Sequence, residues 1–162
     1  MKHIYHSTSK IDRIGLFAGE NIKKDEVIQH IKGEIKLFVP RNKKESLTYP
    51  DWIGIGKHRW IDPQYPNEYL NHSCNPNSSI KGKVTMVALK NIKEGEEITI
   101  DYSIIEGDDM WKMKCNCGEK NCRKIIRSIQ YLPTRTFKKY LPYIPTYFKK
   151  VYKTYNGNKN II

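Results

Sequence analysis

Short apolar stretches broken by turn residues fill the first 120 positions of this chain. Gly15–Ala18, Glu26–Val39, Asp51–Ile55, Arg59–Ile61, Val84–Leu89 and Glu97–Ile100 have the composition and length of strands. Lys23-Lys24-Asp25, Pro40-Arg41-Asn42, Gly54 to Gly56, Lys81-Gly82 and Glu94-Gly95 separate them with turn chemistry. Amphipathic stretches long enough for a helix are scarce before residue 120. The pattern predicts a mainly β fold of several small curled sheets.

After Arg123 the pattern changes. Residues 131–155 hold six tyrosines, two phenylalanines and three prolines. Pro142 and Pro145 interrupt helices, and Pro145 can open one at its first turn. Tyr147, Phe148, Val151, Tyr152 and Tyr155 recur three and four apart, which puts them on one helix face. Lys149, Lys150 and Lys153 fall mostly on the other. This predicts a docked amphipathic helix, with the last residues, 156–162, fraying. One internal echo stands out: Ala18 to Ile28 and Ala88 to Ile98 match at Ala, Asn, Ile, Lys, Glu and Ile with an offset of seventy. Two copies do not make a repeat architecture. They predict one local need met twice, namely a strand, an apolar anchor (Ile22, Ile92), a polar turn and a second strand.

Composition adds charge asymmetry. The 162 residues carry a net +12, yet Arg123 to Ile162 contains ten basic residues and no acidic one. A nearly neutral domain is therefore followed by a basic segment, either a solubilising helical cap or a surface for nucleic acid, an acidic protein or anionic lipid. No run approaches the roughly 18 apolar residues of a membrane helix, and no secretory signal is visible at Met1–Lys10. A reducing compartment, cytoplasmic or nuclear, is the expectation, with secretion into a host left open.

All four cysteines belong to one pattern. Cys115, Cys117 and Cys122 lie in C-N-C-G-E-K-N-C, and Cys74 in N-H-S-C-N-P-N. Four thiolates are what a closed tetrahedral zinc site needs. In a reducing compartment clustered cysteines favour metal over disulfides. A disulfide pair and buried free thiols are the alternatives.

Four segments in order carry a family resemblance: I-G-L-F-A at 14–18, N-H-S-C-N-P-N at 71–77, E-I-T-I-D-Y at 97–102 and C-N-C-G-E-K-N-C-R at 115–123. Over residues 4–126 the chain resembles a SET-domain protein-lysine methyltransferase with a post-SET zinc motif. The resemblance implies a SET domain over 1–113, a post-SET segment over 114–126 and a C-terminal extension over 127–162. It implies curved sheets with a knot-like core, and one structural zinc held by Cys74, Cys115, Cys117 and Cys122.

The resemblance also implies methyl transfer from S-adenosylmethionine to a lysine amine of a histone or other basic protein. Tyr102 matches the catalytic tyrosine, and Asn71 and His72 match cofactor-holding positions. Gly15, Leu16 and Phe17 would offer backbone groups to the cofactor. Trp111 would either wall the adenine or lysine pocket or pack in the core, and Tyr69 would either line the site or simply pack. Three positions depart from the family pattern: Arg13 replaces a first glycine, Ile31 a tyrosine, and Ile80 a frequent aromatic. The number of methyl groups transferred is therefore open. A catalytically weak SET scaffold and a zinc-stapled nucleic-acid- or chromatin-binding module are the competing functions.

Overall fold

A computed structural model describes residues 1–46 and 51–157. Part of the 40–50 insert and the tail past residue 157 lie outside the described residues. Twelve short strands are grouped in four sheets. In chain order they are β1 (Ile4–Thr8), β2 (Ile14–Ala18), β3 (Val27–His30), β4 (Gly33–Leu37), β5 (Ile53–Gly56) and β6 (Arg59–Pro63), then β7 (Asn71–His72), β8 (Ser78–Lys81), β9 (Thr85–Ala88), β10 (Glu97–Ile100), β11 (Lys112–Lys114) and β12 (Ile125–Arg127). The sheets run β1-β2-β10-β7, β3-β9-β8, β4-β6-β5 and β11-β12.

The apolar run 26–39 divides into β3 and β4, because Ile31 turns inward between them. It is buried, and its N–H bonds Val84 O at 2.8 Å. The run thus serves two sheets.

The internal echo is a paired structure. Ile22 and Ile92 form an antiparallel bridge, each N–H donating to the other's carbonyl at 2.8 Å. Around it the bonds repeat. Asn91 Oδ1 accepts from Lys24 N at 2.9 Å, and Asn21 Oδ1 from Glu94 N at 3.1 Å. Glu26 Oε2 caps Lys23 N at 2.7 Å, and Glu96 Oε2 caps Lys93 N at 3.0 Å. Two copies of one segment clasp each other about a local pseudo-twofold, which accounts for the matched Asn, Lys and Glu and for Ile22 and Ile92; Ala18, Ala88, Ile28 and Ile98 match as fully buried strand residues.

The C-terminal extension completes the main core. The helices are a single turn α1 (Lys43–Ser46), α2 (Thr134–Tyr140) and α3 (Thr146–Gly157). Pro145 stands immediately before α3, and its carbonyl accepts from Lys149 N at 3.1 Å. Phe148 and Tyr152 are buried, with Tyr147 and Val151 packed beside them. The Phe137 and Tyr152 rings stack at 3.7 Å between α2 and α3. These side chains share one cluster with Leu16, Ile53, Ile100 and Ile105. Tyr143 also reaches back, its hydroxyl donating to Asp25 Oδ1 at 2.6 Å.

Phe148→Ala should therefore cost about 3–5 kcal/mol, the usual range for emptying a buried phenylalanine site. It should appear as a lower urea midpoint at an unchanged slope. A helix that merely decorated the surface would leave the midpoint within about 0.5 kcal/mol of wild type.

Candidate active site and thiolate centre

The two central motifs lie side by side. β7 pairs parallel with β10, Asn71 beside Thr99 and His72 beside Ile100. So short a ladder needs reinforcement, and side chains supply it. Asn77 donates to Glu97 O at 2.8 Å and accepts from Thr99 N at 2.9 Å, acting as an extra strand position. Ser78 Oγ donates to Thr99 O at 2.9 Å. Beyond β10, Asp101 Oδ1 accepts from Ser103 N at 3.0 Å and starts a 3₁₀ turn, Tyr102–Ile105. Tyr102 reaches back across the seam, its hydroxyl donating to Leu70 O at 2.6 Å.

Tyr102 lines two cavities. One is a cleft of about 470 Å³ with Asp12, Arg13, Asn71, His72, Lys114 and Asn116 among its walls, a size typical of small-molecule sites. The other is a narrow cavity of about 40 Å³, walled by Trp52, Trp60, Leu70, Ile105 and Trp111. Tyr102, Asp51 and Glu68 line both. The narrow cavity also carries Glu45, Glu106 and Asp108, with no lysine or arginine among its described lining residues.

Asn71, His72 and Tyr69 line the cleft. Trp111 lines the narrow cavity instead, and is buried against Cys74 and Cys115. The N-terminal segment meets the cleft through residues 11–14, one step before the expected glycine segment. Leu16 is fully buried and paired with Ile98, and Phe17 is paired with Glu97 and stacked on Tyr5. Their backbone groups serve the sheet. Gly15 sits where a Cβ would come within 2.3 Å of Glu97 Oε1, so a side chain there would displace that carboxylate. Arg13 adopts φ 35°, the left-handed conformation the missing glycine would favour. Ile31 and Ile80, the aliphatic replacements, are buried in the main core.

The Asn71 amide orientation follows from its partners. Nδ2 donates to Glu97 Oε1 at 2.8 Å and Ile14 O at 3.0 Å, both pure acceptors. Glu97 also accepts from Ser9 Oγ at 2.8 Å. The nitrogen is thus used to hold the N-terminal segment, leaving Oδ1 as the group that can accept from a ligand.

His72 has a fixed tautomer. Tyr102 N donates to Nδ1 at 3.1 Å, so the proton sits on Nε2, which lies 3.4 Å from Cys74 Sγ. Burial holds the imidazole neutral, with its pKa lowered to about 4. Burial, followed by the charges of Asp51, Asp12 and Glu97, pushes the Tyr102 phenol above its ordinary value. That shift favours the neutral phenol.

The four cysteines are free thiols whose sulfurs all lie within 4.8 Å of one another, with Cys74 and Cys115 at 3.8 Å. A tetrahedron with metal–sulfur bonds near 2.3 Å has edges of roughly 3.8 Å, so the donor set fits one zinc ion. Gly118, at φ +70°, turns the chain directly after Cys117, on the way to Cys122. Peptide N–H groups already point at the sulfurs: Arg123 N at Cys74, 3.3 Å, and Lys124 N at Cys122, 3.4 Å.

Several site residues carried no motif signal. Asp12, Asp51 and Glu68 reach the cleft only through folding, while Lys114 and Asn116 come with the post-SET segment. Arg123 stood at the end of a recognised segment, and its side chain bonds Asp101 at 2.7 Å. On the C-terminal extension Arg135, Lys138, Lys139, Lys150 and Lys153 are exposed, and nothing among the described residues supports a nucleic-acid motif. No helix among the described residues is long and apolar enough to cross a membrane.

Small sheets joined by a parallel two-residue seam, one phenol lining two cavities and a four-thiol cluster behind them define the class. The SET domain family profile matches residues 13–103, and the chain belongs to that family. Human histone-lysine N-methyltransferase 2D is 30% identical over 138 residues, covering 75% of this chain and 2% of that protein. The chain spans a small fraction of the length of the curated relatives it matches. The methyltransferase domain of human SETMAR superposes with a TM-score of 0.59 at 23% identity, over 79% of this chain and 59% of that one. A ctPRC2 chain bound to S-adenosylmethionine gives 0.52 at 21% identity, over 64% of this chain and 15% of that one.

Glu106 offers a test of the narrow cavity. Burial, its largest influence, raises its pKa to about 7 from an unfolded value of 4.5. Between those values the folded protein holds a proton that the unfolded chain has released. Its contribution is complete below pH 4.5 and is lost as pH rises through about 7. Because the carboxyl faces a cavity, the loss is about 2 kcal/mol after discounting for solvent. Glu106→Gln should flatten the decline in urea midpoint between about pH 5 and 8. An unaltered decline would place the carboxyl in open solvent.

Proposed function

We propose that this chain is a protein-lysine N-methyltransferase using S-adenosylmethionine. The observation that carries the reading is Tyr102, which lines both a ligand-sized cleft and a narrow cavity. Bound in the cleft, S-adenosylmethionine supplies an electrophilic methyl group on a sulfonium. Asn71 Oδ1 and the 11–15 segment would hold its polar end, with the His72 backbone beside it. Lys114 and Asn116 of the post-SET segment would cover it, and Cys74, Cys115, Cys117 and Cys122 would hold one structural zinc.

The substrate lysine would enter the narrow cavity between Trp52, Trp60 and Trp111. Burial lowers a lysine's pKa and favours the neutral amine. Tyr102 has used its only proton on Leu70 O, so its oxygen can accept an N–H from the amine. That bond aims the nitrogen lone pair toward the cleft, a positioning role in the sense of near-attack geometry. Five carboxylates and no described lysine or arginine line the channel of a chain carrying +12. This supports a basic protein as substrate, with histones as the first class to try. Nuclear or cytoplasmic placement accords with such a substrate.

Label from methyl-tritiated S-adenosylmethionine should enter lysine in histones or extract proteins. Tyr102→Phe should reduce this about 100-fold or more, while calorimetry shows cofactor affinity within a few-fold of wild type. A wild-type protein that binds neither cofactor nor any histone, and transfers no label, would favour the scaffold.

A further inference from the structure

Arg123 follows the last cysteine and makes three bonds to two buried groups. Its peptide N and its Nε lie 3.3 and 3.4 Å from Cys74 Sγ. Its terminal nitrogen donates to Asp101 Oδ1 at 2.7 Å. Asp101 is fully buried, and that same Oδ1 accepts from Ser103 N, which starts the turn bearing Tyr102. His72 spans the same gap in parallel, from Cys74 Sγ to Tyr102 N. The thiolate centre and the backbone of Tyr102 are thus joined by two bridges that converge on Cys74.

We propose that Arg123 is a positioning residue: it clamps the Asp101–Ser103 turn to the thiolate centre, so that metal loading sets the geometry of Tyr102. The geometric reason is the guanidinium fork. It is planar and carries donors on several edges, so one side chain can serve a sulfur and a carboxylate together. Donors to ligand sulfurs also tune the bound metal. Asp101 needs a partner because an isolated buried carboxylate is costly; Arg123 supplies it at 2.7 Å, while the neutral His72 ring lies farther off, its Nδ1 at 3.7 Å. The clamp rests on the methyltransferase reading only for its kinetic consequence.

The test uses the full chain, wild type and Arg123→Gln, loaded with zinc or cobalt(II). In the variant, amide exchange at Tyr102 and Ser103 should quicken about tenfold or more, while β8 and β9 keep their protection. The cobalt–thiolate charge-transfer band should shift as Cys74 loses a donor. Chelator-stripped wild type should show the same local quickening. On histones, kcat should fall about tenfold or more with KM for S-adenosylmethionine within about threefold, and Arg123→Lys should recover part of it. Unchanged exchange and an unchanged band in a folded, metal-loaded Arg123→Gln protein would overturn the clamp. If that variant does not fold, Asp101→Asn/Arg123→Gln carries the same comparison without a stranded charge, and unchanged exchange there would be equally decisive. Failure of wild type to transfer methyl would overturn the activity reading alone, because exchange and the cobalt spectrum judge the clamp without it.

Discussion

The parallel seam of Asn71–His72 against Thr99–Ile100 is the constraint on which the site depends. Two residue pairs could not hold two distant segments together unaided. The seam survives because side chains extend it at both ends: Asn77 imitates backbone on one side, and the Tyr102 hydroxyl ties Leu70 on the other. Asn71, His72 and Tyr102 face the cleft from this pairing and Lys114 and Asn116 from the post-SET segment beside it, while the 11–14 and 51–69 segments supply further walls. The binding surface is therefore assembled from residues far apart in sequence and stiff in space.

Charge follows the same arrangement. The chain is strongly basic, yet carboxylates gather around Tyr102 and along the narrow cavity. Such a local reversal sets a field that draws cations inward while the remaining surface repels them. Within the site, burial keeps His72 and Tyr102 neutral, so both act through hydrogen-bond direction. The chemistry this favours is alignment of reactants.

The motifs were legible because they are local: four cysteines, an Asn-His pair and an Asp-Tyr pair each fall within a few residues. The amphipathic period placed α3, and Pro145 marked its start. β1 was missed because its face is mostly exposed and lacks apolar alternation, and β8 because it is built around buried Ser78 and Ser79. The 26–39 run reads as one strand because nothing local marks the inward turn at Ile31. The pairing of Leu16 and Phe17 with β10 has no local signal, because it depends on a strand eighty residues away. Trp111 could be assigned to a pocket, but not to one of two, until Tyr102 was seen lining both.

The place of α3 in the core has a consequence for how the molecule is made. Phe148 and Tyr152 pack in the same cluster as Leu16 and Ile22. During synthesis the β sheets emerge first and must wait, with that apolar surface exposed, until residue 152 has cleared the ribosome. This core is thus completed only after translation has passed all twelve strands, and the interval is when nascent strands are open to mispairing or to capture by a chaperone.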